Sequence, residues 1–387
     1  MNIKIPQFVS DTIKTLENNG FEAYIVGGCV RDILMGITPH DYDITTNALP
    51  HQIKSLFKKT VDIGIKHGTV TVINNNAPIE ITTYRTEGIY SDNRRPDSIE
   101  FVSDLKEDLS RRDFTINAIC YNESKGFVDL FGGMEDIKNR TLRAVGNPVE
   151  RFEEDALRIL RLYRFASTLS FKVDEKTLND ALNCSALIKK VSRERIAEEL
   201  KKAVLGDNVK VLESLINSKA LEFISIKSCD DLDDISKLKR NADLRLFALL
   251  SLCECDISQV ANELKLSNKT QIYLNTLSRL ISKKIPENKY EIKQLLNFCD
   301  FEIFEEFIEY LTKIKKSDCS KIISDLNEIK IKCEPYKISH LNINGNDILS
   351  LGYENAEIRN ALNNLLQKVI EDPLLNKKDT LLKFLTK

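Results

Sequence analysis

The sequence of 387 residues lacks the features that mark membrane, secreted and broadly basic proteins. No stretch approaches the roughly 18 apolar residues that a membrane-spanning helix needs, which predicts no contact with a membrane. The first residues, MNIKIPQFVSDTIKTL, lack a charged region followed by an apolar run, so we expect no signal peptide. The net charge of −2 excludes a globally basic nucleic-acid binder, and any nucleic acid would have to meet a local basic patch.

The nine cysteines are odd in number and scattered, and none forms a C-x-x-C pair. Cys253 and Cys255 are two apart, but no second pair of metal ligands follows them. This pattern predicts buried free thiols in a reducing cytoplasm. With 42% hydrophobic and 29% charged residues, the chain is an ordinary globular protein, long enough for two or three domains.

Residues 23–45 contain a Gly-Gly pair between a predicted strand (24–26) and a predicted short helix (30–35). Gly27 and Gly28 let the backbone approach a ligand closely. The helix that follows supplies free N–H groups and the positive end of a dipole to a phosphate. A Gly-Gly pair alone is usually only a tight turn, so its meaning depends on the residues that follow.

Asp41 and Asp43 follow on a predicted second strand. Alternation along a strand places both carboxylates about 7 Å apart on one face, with Tyr42 and Ile44 directed into the core. Such oxygen-only sites suit Mg²⁺. Metal-binding carboxylates beside a phosphate-binding turn suggest nucleotidyl transfer.

The next segments predict a hairpin (69–74 and 79–84), a polar loop (87–97) and a short strand (99–102). Glu80 on the hairpin is either a third carboxylate facing the aspartates or a solvent-facing strand residue, and both interpretations stay open. The loop carries Arg94, Arg95 and Pro96 at a position typical of a mobile active-site element.

Residues 104–121 predict one helix, with Arg111, Arg112 and Asp113 on its polar side. Neighbouring arginines on a helix usually face solvent, but after a phosphate-binding sheet they are candidates for triphosphate contacts. Two short strands at 127–130 and 141–145 then complete the α/β part.

Beyond Pro148 strand signals vanish, and helical periodicity continues to the end. The first helix there, RFEEDALRILRLYRFA, carries a polar stripe at three- and four-residue spacing, formed by Glu154, Asp155, Arg158, Arg161 and Arg164. The stripe is either a surface face with ion pairs or a base-reading site. In the second case Asp155 accepts from the amino group of cytosine or adenine and Arg158 donates to the ring nitrogen. Uracil and guanine reverse both hydrogen bonds, which leaves buried polar groups unpaired.

Five segments in order resemble class II tRNA nucleotidyltransferases, the family of the bacterial CCA-adding enzymes in the DNA polymerase beta superfamily: GGCVRD (27–32), DYD (41–43), RRDFTINA (111–118), EDALR (154–158) and SRERI (192–196). The resemblance implies a palm-like α/β nucleotidyltransferase head with a mixed or antiparallel sheet and helices (1–147). An all-α neck that reads the nucleotide base (148–205) and a helical body and tail that bind tRNA (206–387) would follow.

The resemblance also implies roles for individual residues. Asp41 and Asp43 would be catalytic and would hold two Mg²⁺ ions, with Glu80 as a candidate third ligand. The residues implied to bind the nucleotide are Gly28, Arg31, Arg112, Asp155, Arg158, Arg161 and Arg164. The residues implied to support them are Gly27, Asp32, Arg111, Asp113, Asn117 and Glu154. The SRERI segment would be mainly structural, with Ser192 as a helix N-cap.

The implied activity is template-independent addition of C, C and A to the 3′ end of tRNA from CTP and ATP, with release of pyrophosphate. The acceptor arm of tRNA would be the partner, and no stable protein partner is inferred. An enzyme that adds only A remains open. A complete loop at 87–96 disfavours a CC-adding enzyme, and the net charge of −2 disfavours a poly(A) polymerase. The intact motif residues disfavour a non-catalytic RNA-binding paralogue.

Overall fold

The computed structural model describes residues 3–62, 64–75, 77–87 and 99–385. Arg94, Arg95 and Pro96, and with them most of the predicted polar loop, lie outside the described residues. No helix in the described ranges is long and apolar enough to cross a membrane.

Strands are concentrated in the first third of the chain. Their bounds are β1 (Ala23–Val26), β2 (Asp43–Thr46), β3 (Thr60–Val61), β4 (Thr69–Asn74), β5 (Ala77–Thr83), β6 (Arg85–Glu87), β7 (Ile99–Phe101), β8 (Ile119–Asn122), β9 (Gly126–Asp129), β10 (Thr141–Leu142) and β11 (Lys172–Val173).

Helices surround the sheet and make up most of the later chain. In the N-terminal half they are α1 (Gln7–Asn18), α2 (Gly28–Leu34), α3 (Pro50–Leu56), α4 (Leu105–Ser110), α5 (Gly133–Lys138), α6 (Pro148–Glu154), α7 (Leu157–Leu169), α8 (Glu175–Asn183) and α9 (Arg193–Ala203). The later helices are α10 (Leu212–Asn217), α11 (Ala242–Ser251), α12 (Ile257–Glu263), α13 (Asn268–Ile281), α14 (Lys289–Phe298), α15 (Phe301–Lys313), α16 (Ser320–Ile331), α17 (Gly345–Leu349), α18 (Asn355–Glu371) and α19 (Lys378–Lys383).

The main sheet, within the described residues, has the strand order β3-β4-β5-β2-β1-β8-β9. It is mixed, because β2 runs parallel to β5 and antiparallel to β1. The predicted hairpin is confirmed as β4 and β5, with Asn74 opposite Ala77. The expected fold class, an α/β head followed by helices, is therefore confirmed.

Three predictions about elements are wrong. The helix expected over 104–121 ends at Ser110, and after a 3₁₀ turn (Thr115–Asn117) the chain enters β8, which pairs with β1. All four residues of β8 are buried, as in a central strand covered on both faces. The helix expected over 151–166 breaks at Asp155, which has an extended backbone (φ −138°, ψ 104°). A strand also follows Pro148, since β11 pairs in parallel with β10.

The described chain forms two compact units. The first contains residues 1–233 and 263–265, so the predicted head and neck pack together in one unit, tied by the β10·β11 pair. The second contains residues 234–262 and 266–387 and is helical. One of its apolar clusters is built on α17, α18 and the segment before them, and includes Leu341, Ile348 and Leu366.

Candidate active site

The carboxylates of the D-x-D motif lie where two parallel strands begin to pair. Asp43 is the first residue of β2 and is the direct partner of Glu80 on β5, so both exposed side chains leave the same face of the sheet. Asp41 is also exposed but precedes the strand, which corrects the prediction that the strand carries both aspartates. The structure thus brings Glu80 beside Asp43.

The environment raises the pKa of Asp43 to about 6. Desolvation contributes most, followed by the charges of Glu80 and Asp41, while Arg112 acts in the opposite direction. Asp43 nevertheless keeps an exposed surface. Within the described ranges, no group of three or more His, Cys, Asp or Glu side chains could hold a metal ion by itself. Magnesium sites commonly complete their coordination with water and substrate phosphates.

The residues between and after the two aspartates differ in burial. Ile44 is fully buried, as predicted. Tyr42 is only half-buried and meets Phe8 edge-on, with ring centroids 6.3 Å apart, so its predicted core position is wrong. Behind Asp43, burial raises the pKa of the Cys29 thiol to about 11, and its Sγ donates to the carbonyl of Val26 at 3.4 Å. Cys29 is therefore an unreactive packing residue.

The Gly-Gly pair forms the turn between β1 and α2. Gly27 has φ 79° and ψ −128°, a conformation that favours glycine, and a Cβ there would lie 3.1 Å from Nη1 of Arg112. From α2, Arg31 donates through Nη1 to Asn117 Oδ1 at 2.8 Å and through Nη2 to Asp32 at 2.7 Å. The turn, both arginines and Asn117 therefore share one site.

Asp108 contacts both arginines of the RRD segment, and our sequence analysis did not identify it. It is fully buried, accepts from Arg111 Nη2 at 2.7 Å and from Thr45 Oγ1 at 3.0 Å, and lies 3.4 Å from Arg112 Nη2. Burial alone would raise the pKa of Asp108, but the two guanidinium groups outweigh it and hold the pKa below its usual value. Its spacing three and four residues before the arginines was the available signal.

Arg112 retains a buried donor for a ligand. In the part of the chain that the structure describes, no group accepts a hydrogen bond from its Nε. A buried donor without a partner is unfavourable, so this nitrogen would gain from an anionic ligand in the site.

Asp113 connects the sheet side of the site to the neck helix α7. Its Oδ1 accepts from Asn117 at 3.1 Å, and its Oδ2 accepts from Arg161 Nε at 2.8 Å. Burial raises the pKa of Asp113, but Arg161 and Asn117 overcome this effect and lower the pKa to about 2. A chain of hydrogen bonds therefore runs from Arg31 through Asn117 and the ionised Asp113 to Arg161.

Three guanidinium groups surround the ring of Phe165 on α7. Those of Arg31, Arg161 and Arg164 lie 5.2, 5.3 and 4.1 Å from the ring centroid. Arg164 also pairs with Glu199 of α9 at 3.1 Å. Its burial and then the nearby charge of Arg161 lower the pKa of Arg164 to about 10. This concentration of positive charge suits a polyphosphate, whose oxygens accept from guanidinium groups in pairs.

Asp155 and Arg158, the predicted base-reading residues, are each held by another partner. Asp155 accepts from Arg195 Nη2 at 2.9 Å and from the backbone N–H of Leu157 at 3.0 Å. Arg158 is 8% exposed and donates to Glu154 at 2.5 Å and to the carbonyl of Arg111 at 2.8 Å. The structure thus places both residues at the break between α6 and α7.

The SRERI segment forms the start of α9. Ser192 occupies the N-cap position as predicted, but its side chain makes no capping hydrogen bond, so that part of the prediction is wrong. Arg195 from the same segment contacts Asp155, which our sequence analysis missed because the two residues are 40 positions apart.

Two domain families match the sequence. Residues 23–143 match the poly A polymerase head domain, and residues 170–226 match a domain described as the probable RNA and SrmB-binding site of polymerase A. The first match spans the Gly-Gly turn, the carboxylates and the RRD segment.

Similarity to curated relatives extends over nearly the whole chain. The CCA-adding enzyme of Ligilactobacillus salivarius (strain UCC118) is 37% identical, over 96% of this chain and 93% of that protein. The CCA-adding enzyme of Staphylococcus epidermidis (strain ATCC 12228 / FDA PCI 1200) is 35% identical, over 99% of this chain and 98% of that protein. A crystal structure of the Bacillus stearothermophilus CCA-adding enzyme in complex with CTP matches with a TM-score of 0.83 and 28% identity, covering 97% of this chain and 96% of that one.

Proposed function

The chain belongs to the family of CCA-adding enzymes, and on this premise we propose that it adds C, C and A to the 3′ end of tRNA from CTP and ATP, releasing pyrophosphate. The observation that carries the proposal is the pairing of Asp43 with Glu80 beside Arg112. Carboxylates that can bind a metal ion therefore lie next to a guanidinium group that can bind a phosphate. The chain that carries them is related to CCA-adding enzymes over nearly its whole length.

Asp41 and Asp43, with Glu80 as a candidate third ligand, would hold two Mg²⁺ ions. Carboxylate oxygens are the ligand atoms that Mg²⁺ prefers. Desolvation and then the negative charges of Glu80 and Asp41 raise the pKa of Asp43, and a bound cation would stabilise its ionised form. Bound Mg²⁺ supplies charge neutralisation at the phosphates and makes the attacking 3′-hydroxyl more acidic. The aspartates act as ligands rather than as proton carriers.

The Gly-Gly turn and the arginines position the triphosphate. Backbone N–H groups at Gly28 and the guanidinium groups of Arg31 and Arg112 lie on one side of the site. Arg161 and Arg164 approach from α7 and are kept in place by Asp113 and Glu199. Because these carboxylates hold the guanidinium groups before a nucleotide arrives, little reorganisation accompanies binding.

Asp155 and Arg158 select the base. The carboxylate accepts from the exocyclic amino group of cytosine or adenine, and the guanidinium donates to the adjacent ring nitrogen. With uracil or guanine each of these contacts becomes an unpaired polar group, at about 1–3 kcal/mol per group. The selection therefore needs no nucleic-acid template.

We place the enzyme in the cytoplasm. The proposal is supported by the nine cysteines, which are all free thiols, as is usual in a reducing compartment. Only five of them are buried and Cys333 is exposed, so the prediction that all are buried is wrong. The acceptor arm of tRNA would be its partner, and residues of the helical body and tail (206–387) would hold it.

The test is a single-nucleotide extension assay. Purified protein and Mg²⁺ are incubated with tRNA transcripts that end before CCA, after one C and after CC, with CTP, ATP or both. We expect the shortest transcript to gain two residues with CTP and a third only when ATP is present. Extension of the CC-ended transcript alone, by ATP alone, would instead identify an A-adding enzyme, and long adenosine tails a poly(A) polymerase. No extension of any transcript would refute the proposal.

A further inference from the structure

Helix α9 touches the nucleotide-binding part of the neck at two points one helical turn apart. Arg195 in its first turn pairs with Asp155, and Glu199 pairs with Arg164. Residues four apart lie on the same face of a helix, so a single face of α9 holds both an acidic and a basic residue of the neck. Neither Arg195 nor Glu199 belongs to the residues assigned above to the nucleotide.

The contact between Arg195 and Asp155 differs from that between Glu199 and Arg164, because Asp155 lies outside any helix. Its extended backbone separates α6 from α7, so helix geometry does not fix the direction of its side chain. Arg195 instead holds both carboxylate oxygens: its Nη2 donates to Oδ2 at 2.9 Å and its Nη1 donates to Oδ1 at 3.5 Å, while Oδ1 also accepts from the N–H of Leu157 at 3.0 Å. Oδ2 accepts only from Arg195 in these contacts, so its second lone pair can still accept a hydrogen bond from a ligand.

Asp155 and Arg195 are both only partly exposed to solvent. The side chain of Asp155 is 18% exposed and that of Arg195 25% exposed, so the pair is partly shielded and remains within reach of a ligand. Without Arg195, Asp155 would keep only the hydrogen bond from the N–H of Leu157 to Oδ1, and the carboxylate would be free to rotate about its side-chain bonds. A carboxylate that rotates can no longer favour one edge pattern of a base over another.

We propose that Arg195 is a specificity-determining positioning residue, which orients the Asp155 carboxylate toward the amino group of cytosine or adenine. The proposal rests on the proposed function, since it assumes that Asp155 reads the base. Arg195 itself does not touch the nucleotide. Its substitution should therefore change the choice between nucleotides much more than the rate of the chemical step.

The test compares kcat/KM for CTP with kcat/KM for UTP on tRNA that lacks CCA. For Arg195→Met, which keeps the length but removes the charge and donors, we expect the CTP preference to fall at least about tenfold, the size expected for one oriented hydrogen bond. Arg195→Lys should give an intermediate loss, because lysine keeps the charge without the planar fork. Lys202→Met is the matched control, since it removes an exposed positive charge from the same helix, and it should leave the preference unchanged.

A double-mutant cycle with Asp155→Asn tests whether Arg195 acts by orienting the Asp155 carboxylate or only by stabilising the fold. If Arg195 acts through Asp155, then adding Arg195→Met to Asp155→Asn should cause no further loss of CTP preference. An unchanged preference in Arg195→Met, or losses that add in the double variant, would overturn the proposal even if the melting temperature falls. Should Arg195→Met not fold, an unchanged preference in Arg195→Lys would overturn it equally.

The wild-type protein in the same assay distinguishes this proposal from the proposed function. If the wild-type enzyme adds no CMP to tRNA, the proposed function fails. If it adds CMP and rejects UTP while Arg195→Met rejects UTP equally well, only the role of Arg195 fails.

Discussion

Replacing Asp43 with asparagine should remove activity and yet stabilise the protein in the absence of metal. The pKa of Asp43 is raised from a usual 3.8 to about 6, which means that the fold disfavours its ionised form. At full strength this shift corresponds to about 3 kcal/mol. Because Asp43 is exposed, screening by water reduces the effect, and we expect a gain of about 1 kcal/mol in the free energy of unfolding at pH 7.5.

The pH dependence of this gain has a definite sign. Above about pH 6 the wild-type carboxyl is ionised in both the folded and the unfolded chain, and the gain is complete. As the pH falls from 6 to 4, the folded wild-type protein takes up a proton at Asp43, so the gain shrinks. Below about pH 4 the carboxyl is protonated in both states, and the gain disappears.

The assay is thermal unfolding of wild type and Asp43→Asn at pH 7.5 and pH 4, with a chelator and again with Mg²⁺. For the unit that contains the sheet, about 1 kcal/mol corresponds to a rise of roughly 2–4 °C. Added Mg²⁺ should narrow the difference, because only the wild type keeps the full set of metal ligands. Asp62→Asn is the control, since it removes a carboxylate from a surface pair with Lys54 and should give no gain. A lower melting temperature for Asp43→Asn at pH 7.5, or an equal gain at both pH values, would refute the reasoning.

Three further predictions concern the same site. Asp41→Ala should abolish incorporation of CMP and AMP alike in the extension assay, and a near-normal rate with either nucleotide would contradict its role as a metal ligand. Asp108→Asn should lower the free energy of unfolding by about 3 kcal/mol, because it removes the buried carboxylate that pairs with two partly buried arginines. It should also raise KM for CTP and ATP equally without changing base choice, and a change in the CTP to UTP ratio would show that Asp108 does more than hold Arg112. Gly27→Ala should cost about 1–3 kcal/mol in unfolding experiments, since it places a side chain at φ 79° and 3.1 Å from Arg112, and nucleotide affinity should fall with it.

The sequence predicted the architecture of the sheet where local patterns agree with tertiary pairing. The hairpin of β4 and β5 has clear alternation with a short polar connection, and it formed as expected. The prediction of a helix after Arg111 was wrong because the spacing of Phe114, Ile116 and Ile119 fits a helix as well as a strand. Pairing of β8 with β1, almost a hundred residues away in the chain, decided in favour of the strand.

The site shows a similar division between local and distant information. Motif positions predicted which residues would gather around the Gly-Gly turn, and the structure places Arg31, Arg112 and Asn117 there. Their partners could not be predicted in this way. At the break, Asp155 contacts Arg195 from a helix distant in the sequence, and a sequence window around EDALR contains no sign of this contact.

The position of Tyr42 offers a spectroscopic opportunity. This ring lies between the two aspartates of the D-x-D motif, half-buried and edge-on to Phe8, so a somewhat larger ring can extend toward solvent. The chain contains no tryptophan. In Tyr42→Trp the single indole would emit without background from any other, and its fluorescence would follow metal and nucleotide arrival in real time, before any nucleotide has been joined to RNA.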